Sequence, residues 1–449
     1  MPRSQWANIG YHSKLSPRPR CCSKWNPYEE PRLYCCGVCL SRCEQYFRLD
    51  LGNCLTLQIR IIGMATPTES TQTLDTCTSC AGSLPRPVLA CFDCSGNNIN
   101  TSSPTYCSTR CRSDDRDSHL KRCNQQNVVR SIYRAGELLQ DAFYTWRRTA
   151  FDVNLRRIRK DGETLAIEED VFLVPDGKSV FFDFPDDQLP DTNDKHKLLS
   201  FLSCSEASAW MYELVKKSFE GISTSIEELA HQVPPSKVHI KRYYAHGGYD
   251  RNLYNHEVLA IDCRNGKSYI VDLAGAQYGQ YQAVMLLDEY LSTKLGTIQQ
   301  LNGHGYMRAV KKQGLLGFGL MTMKDPSTGG KVDIRIHLVQ RELSAVFNAA
   351  VSKWEEVNSM SISQLLISEH KLWECGKEQL LASIKRKMRA WIDAWETAGC
   401  PSIALPLSEQ QLSPEEEQLL EPYHASMGDG TNRSAAYHRW ISQRAQHFA

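Results

Sequence analysis

The chain has 449 residues, with 52 Lys+Arg against 51 Asp+Glu, 41% hydrophobic residues and 18 cysteines. That length suffices for two or three domains with a sizeable buried core. A charge balance so close to neutral argues against a strongly basic nucleic-acid-binding protein and against an acidic disordered one. No apolar run reaches the roughly 18 residues of a membrane span, and no membrane association is expected. The first residues carry Arg and Pro but no apolar stretch leading to a small-residue cleavage site. The expected compartment is therefore the nucleus or cytoplasm, where thiols stay reduced. So many thiols in such a compartment need a reason. Fourteen of them lie at or before Cys123, and only Cys204, Cys263, Cys375 and Cys400 follow. Clusters of this kind read as metal sites rather than disulfides.

Residues 1–70 read as a basic, Cys-rich extension, expected to be disordered. They hold Cys21, Cys22, Cys35, Cys36, Cys39, Cys43 and Cys54, and the segment to Met64 has nine basic against four acidic residues. The Cys36, Cys39, Cys43 spacing is compatible with the start of a zinc site. Adjacent pairs such as Cys21-Cys22 do not readily serve one tetrahedral ion, and no second ordered half follows. An alternative expectation is that the natural protein starts at Met64, because Met64-Ala-Thr-Pro-Thr-Glu-Ser has the form of an ordinary polar N-terminus.

Residues 71–125 are far more regular. The ligand series is Cys77-x2-Cys80, Cys91-x2-Cys94, Cys107-x3-Cys111 and His119-x3-Cys123. Eight soft donors in four pairs match the need of two tetrahedral zinc ions. A two-residue gap lets one tight turn aim both thiolates at one ion. A three-residue gap places donors at i and i+4, neighbours on one helix face. Gly82, Pro85, Pro87, Gly96 and Pro104 mark the loops between pairs. So short a segment, with few large apolar residues, depends on metal for most of its folding energy.

This series resembles the MYND-type zinc finger, including Tyr106-Cys107-Ser108 before the third pair and the eight-residue step from Cys111 to His119. The resemblance implies a small cross-braced module in which the pairs interleave. Cys77, Cys80, Cys107 and Cys111 would hold one Zn2+, and Cys91, Cys94, His119 and Cys123 the other. The sequence departs from the family where Arg116 follows Asp115 in place of the usual Trp, and where Leu120 follows the histidine in place of a basic residue. Zinc binding is expected to survive both changes, while the module's peptide-binding surface is expected to differ. Modules of this family are generally protein-interaction units, several of which bind short Pro-rich peptides. Direct DNA binding is not expected, because Arg86, Arg110, Arg112, Arg116, Lys121 and Arg122 are interleaved with Asp93, Asp114, Asp115 and Asp117. No set of SET methyltransferase motifs follows, Asn255-His256 alone being too weak. A finger followed by a helix and a long α+β region is also similar to fungal MYND-finger proteins without an assigned activity.

Residues 126–330 are expected to form a mixed α+β domain. Val128, Ile132, Ala135, Leu139, Phe143 and Trp146 recur at helical spacing and predict one buried helix face. Ala166-Ile167, Val171–Val174 and Ser179–Phe182, separated by Pro175-Asp176-Gly177, predict a hairpin. The acidic stretch 185–194 predicts a solvated connector. One helix is expected from about Lys195 to Phe219 and a short one near Ile226–His231. Strands are then expected at Val238–Tyr244, His256–Asp262 and Ser268–Leu273, the last two joined by a tight turn at Asn265-Gly266. Helices followed by antiparallel strands give the α+β class.

Residues 331–449 are expected to be mostly helical. Leu343, Phe347, Ala350 and Trp354 make one stripe, and Leu380, Ile384, Met388, Trp391 and Trp395 a second. Lys385, Arg386, Lys387 and Arg389 read as a solvated helix face. Ser413-Pro414-Glu415-Glu416 has the form of a capping box with Pro at the first helical position.

One further constellation bears on chemistry. Cys204 lies near a predicted helix start, His256 opens a strand, and Asp272 ends the next one. Order and setting resemble the papain-like and transglutaminase-like thiol enzymes. The resemblance implies Cys204 as nucleophile, His256 as base and Asp272 as its orienting partner. The bland alternatives are a buried small residue, a strand-edge histidine and a turn former. Two expectations stand: a zinc-dependent interaction or regulatory, transcription-related protein recruiting protein partners, and a thiol hydrolase or acyl transferase using Cys204, His256 and Asp272.

Overall fold

The computed structural model describes residues 76–84, 89–90, 105–170, 177–245, 247–250, 254–293, 296–316, 335–404 and 411–428, with backbone alone at 89–90, 116–126, 335 and 422–428. The seven cysteines upstream of Cys77, the expected strand Val171–Val174, and Cys91 and Cys94 lie outside the described residues. The fold is a mixture of helix and antiparallel-dominated sheet, in the α+β class.

In chain order, β1 (Leu89–Ala90) pairs antiparallel with β2 (Thr105–Tyr106), followed by α1 (Thr109–Asp114) and the 34-residue α2 (Arg116–Thr149). Next come β3 (Leu155–Asp161), β4 (Thr164–Glu169), α3 (Thr192–Ser200), α4 (Cys204–Trp210) and α5 (Tyr212–Phe219). Then follow β5 (Ser223–Gln232), β6 (Ile240–Tyr244), β7 (Asn255–Cys263), β8 (Ser268–Val271), β9 (Val284–Leu286), α6 (Leu287–Ser292) and β10 (Thr297–Gly303). The chain continues through α7 (Tyr306–Leu315), α8 (Arg335–Asn358), α9 (Ile362–Ile367), α10 (His370–Thr397) and α11 (Pro414–Gly428).

Of the stripe predicted for α2, Ile132, Ala135, Leu139, Phe143 and Trp146 are sealed from solvent, as are Leu138 and Ala142 beside them, while Val128 is half-buried. Helices α3, α5, α9 and α10 and strand β9 all touch α2. Gly136 is where β9 comes closest, since a Cβ there would lie 2.0 Å from Val284 Cγ2. The α8 stripe (Leu343, Phe347, Ala350, Trp354) and the α10 stripe (Leu380, Ile384, Met388, Trp395) enter the same core. Trp146 meets Phe347 edge-on, with ring centroids 5.8 Å apart. Lys385, Arg386, Lys387 and Arg389 are solvent-exposed, and Ser413 and Glu416 make the reciprocal capping bonds at α11.

The main sheet is antiparallel throughout, in the order β10-β5-β7-β8-β9. Alternation along β7 divides its side chains between two cores. Leu259, Ile261 and Cys263 face the helical core, whereas Val258 and Ala260 face a smaller cluster with Leu229, Ile270 and Leu287. The β7–β8 turn is closed at Gly266, whose φ of 74° suits the Asn-Gly sequence. A second, three-stranded sheet has the order β3-β4-β6, with β4 and β6 parallel.

Three expectations are corrected. The residues near Ile226–His231 are the middle of β5, not a helix, because pairing with β7 and β10 on both sides overrides the helical propensity of Glu227-Glu228-Leu229-Ala230. The single helix from Lys195 to Phe219 is instead three: Leu202, at φ 51°, breaks the chain before α4, and Met211 bends it before α5. The hairpin of this region is β3–β4, turning at Gly162, while Ser179–Phe182 is not a strand. The charged sequence of β3, Leu-Arg-Arg-Ile-Arg-Lys-Asp, hid it, because one face of this strand is solvated.

Removing the Phe347 side chain opens a cavity against Trp146, and Phe347→Ala should cost about 3–5 kcal/mol of stability in urea unfolding. An unchanged midpoint would contradict the docking of α8 on α2. A second consequence concerns Glu228, which accepts hydrogen bonds from the N–H groups of Gly305 and Met307 at the start of α7 (both 2.7 Å). Burial nonetheless raises its carboxyl from 4.5 to about 8. The folded state thus holds a proton that the unfolded chain releases, and stability falls as pH rises between those values. Thermal melting of Glu228→Gln against pH should lack this decline; equal slopes in the two proteins would contradict it.

Candidate functional site

Cys77, Cys80, Cys107 and Cys111 come together, with their sulfur atoms all within 4.8 Å of one another. Two local devices aim them. Cys77-Thr78-Ser79-Cys80 forms a knuckle closed by Ala81 N–H to Cys77 O (2.8 Å) and Cys77 N–H to Gly82 O (2.7 Å), with Ala81 at φ 57°. Ser108 caps α1 by accepting the N–H of Cys111 (3.2 Å), which sets Cys107 and Cys111 one turn apart. The two pieces are tied by Thr78 N–H to Thr105 O (2.8 Å) and by Thr105 N–H to Thr78 Oγ1 (3.0 Å). Tyr106 adds a bond to Asp115 (2.9 Å).

The donor set fits one metal ion. Cys107 Sγ lies 3.5 Å from both Cys80 Sγ and Cys111 Sγ. A tetrahedron with metal–sulfur bonds of about 2.3 Å has edges of roughly 3.8 Å, so little movement is needed. Burial works against ionisation of Cys77, yet the backbone of Cys107, Cys80 and Ser79 holds its thiol down to about 6. Hydrogen bonds with Cys111, Cys80 and Cys77 push the Cys107 thiol up to about 12. Crowded thiols that resist joint deprotonation are what a cation would relieve. The remaining predicted ligands, Cys91, Cys94 and the side chains of His119 and Cys123, lie outside the described residues.

Of the predicted thiol triad, the structure brings two members together. His256 Nε2 lies 2.9 Å from each oxygen of Asp272, with both residues buried. The pair extends through Tyr290, whose hydroxyl lies 3.4 Å from Asp272 Oδ2 and 2.9 Å from His231 Nε2. Burial, with a smaller contribution from His256, drives His231 down to about 3, so this imidazole is neutral. The Nδ1 atoms of both histidines are buried without a hydrogen-bond partner.

Cys204 is directed elsewhere. It is the first residue of α4, and its thiol donates to Glu257 Oε2 at 3.1 Å and lies 3.6 Å from Asn255 O. Among the described residues it makes no hydrogen bond to His256. The reason is the pleat: His256 and Glu257 are consecutive in a regular stretch of β7 and face opposite sides of the sheet. Glu257 was not singled out from the sequence. Its signal was available, because it heads the series Glu257, Leu259, Ile261, Cys263, a charged residue on an otherwise apolar inward face.

The described helices include none long and apolar enough to cross a membrane. Comparison with protein-family models, curated proteins and solved structures finds no match for this chain.

A competition titration of the full chain with Zn2+ against a chromogenic chelator should give a site that Cys77→Ser and Cys111→Ser each weaken by at least about 100-fold, a loss of one thiolate donor from a closed tetrathiolate. Unchanged affinity in both variants would contradict the four-thiol assignment.

Proposed function

We propose that this chain is a zinc-dependent protein-interaction or regulatory protein, in which a two-zinc, MYND-type finger recruits protein partners to an α+β and helical scaffold. The observation that carries the reading is the convergence of Cys77, Cys80, Cys107 and Cys111, whose sulfur atoms all lie within 4.8 Å of one another. Thiolates are soft donors, and an all-sulfur tetrahedral set favours zinc among the common divalent ions. Cys91, Cys94, His119 and Cys123 would supply a second set of three sulfur donors and one nitrogen.

The connection to the rest of the chain supports a presenting role. Asp115 closes α1 and opens α2, so the thiol cluster is joined to a 34-residue helix whose far end is embedded in the core. A module attached this way is held in one orientation rather than swung on a flexible linker. Its interleaved charges suit a protein partner better than a phosphate backbone, and Pro-rich segments are the peptide class to test first. The zinc ions hold the module's shape, and its residues supply the contact surface.

Affinity purification with the intact chain and with Cys107→Ala should show partners that depend on the finger. Identical partner sets would show that recruitment does not run through it. Metal analysis provides a separate check: two zinc ions per chain are expected, falling to one in Cys91→Ala, and one ion in the intact chain would exclude the second site.

A further inference from the structure

The inward face of the sheet carries a second assembly, independent of the thiol cluster and of the reading built on it. A cavity of about 290 Å³ opens between the start of α4, the start of β7 and α7. Cys204, Glu257, Tyr254, Gln277 and Lys311 line it, with Met307 contributing apolar surface. Lys311 Nζ also pairs with Glu206 Oε1 at 3.2 Å. A nucleophile, a carboxylate in hydrogen-bond contact with it and an ammonium group therefore share one small, partly apolar space.

We propose that Cys204 and Glu257 form a thiol–carboxylate dyad that takes an acyl group from small ester substrates bound in this cavity, with Glu257 rather than His256 as the base. The thiol already points its hydrogen at Glu257 Oε2, the geometry that nucleophilic catalysis requires. Sγ attacks the carbonyl carbon while its proton passes to Glu257, and a C–S bond forms. The tetrahedral oxyanion develops near Lys311, whose charge stabilises it. Collapse breaks the ester C–O bond, and the departing alkoxide takes the proton from Glu257. Water then attacks the thioester carbonyl and gives a proton to Glu257; collapse breaks the C–S bond and releases the carboxylic acid, and that proton returns to the departing Sγ. The only co-reactant is water.

Burial keeps the proton on sulfur in the resting pair. Burial first, and the neighbouring Glu257 charge second, hold the Cys204 thiol well above its ordinary value. Burial likewise raises Glu257, which makes it a stronger base than an exposed carboxylate. Moving the proton from sulfur to oxygen leaves the pair with the same total charge, so no new ion is created in the buried site. The backbone just ahead of Cys204 is held in an uncommon shape, with Leu202 at φ 51° and its N–H bound to Gln277 Oε1 at 3.1 Å.

The test uses the full chain and p-nitrophenyl acetate, following p-nitrophenolate release and locating the acetyl group by peptide mass spectrometry. The expected result is acetylation of Cys204, lost in Cys204→Ser and retained in Cys263→Ser. Acetyl groups found only on other residues of the wild-type chain would overturn the proposal, whatever the variants do. Alkylation by iodoacetamide then separates a base from a passive neighbour. If Glu257 accepts the proton, Glu257→Gln should slow alkylation of Cys204 by about 100-fold, the lower end for general-base assistance. If Glu257 only keeps the thiol protonated, the same variant should react as fast or faster, and the dyad is refuted. Circular dichroism and continued protection of buried Cys263 show that the variant is folded. These outcomes leave the zinc reading untouched, since neither probe reports on partner recruitment.

Discussion

The structure depends on one helix being buried almost all round along its C-terminal half. From Ile132 to Trp146, α2 is in contact with helices from both the middle and the end of the chain. Each large side chain sealed there contributes about 1.5–3 kcal/mol relative to exposure, and the aromatic pairs add orientation. The same packing requires polar solutions. Arg134 leaves α2 to bind the carbonyls of Leu366 (2.9 Å) and Ser368 (2.6 Å), which are the otherwise open end of α9. Arg147 does the same for Leu199 O at the end of α3 (3.1 Å) and pairs with Asp152 (2.9 Å). Two buried arginines thus lock helices that are distant in sequence onto one axis. The other end of that axis continues from the thiol cluster through Asp115, which closes α1 and opens α2.

Ionisable groups on the main sheet follow a second constraint. Burying a charge is costly unless hydrogen bonds or partners compensate. Each side of the sheet resolves this differently. On one face, Asp272 is shared among His256, Tyr290 and the N–H of Ala274 (3.2 Å), forming a closed network. On the other, Glu228 is held by backbone N–H groups at the start of α7, while Glu257 has a thiol as its hydrogen-bond donor and a cavity in front of it. The first arrangement satisfies Asp272 but leaves Nδ1 of His231 and of His256 buried without a hydrogen-bond partner. The second leaves Cys204 and Glu257, in hydrogen-bond contact, at the wall of a cavity.

Much of this was legible in the sequence, for identifiable reasons. The helical stripes of α2, α8 and α10 are long and strongly periodic, and all three lie in the core. The Asn265-Gly266 turn and the Ser413–Glu416 cap each carry a local stereochemical signature that tertiary packing does not override. The ligand spacing at Cys77–Cys80 and Cys107–Cys111 is likewise a local property, and these four thiols converge. What sequence could not settle depended on pairing. Strand β5 reads helical until β7 and β10 flank it, and β3 conceals its pattern because one face is solvated. The Cys204, His256 and Asp272 order gave the right elements, but the partner of Cys204 depends on strand register. A shift of one residue along β7 exchanges His256 for Glu257.

X-ray absorption spectroscopy of the zinc-loaded full chain reads the donor atoms at the thiol cluster. A sulfur-dominated first shell at about 2.3 Å with four-coordinate geometry is expected, with loss of sulfur neighbours in a Cys107→Ala, Cys111→Ala double variant. A shell of nitrogen and oxygen alone, or a sulfur shell unchanged in the double variant, would contradict the four-thiol assignment.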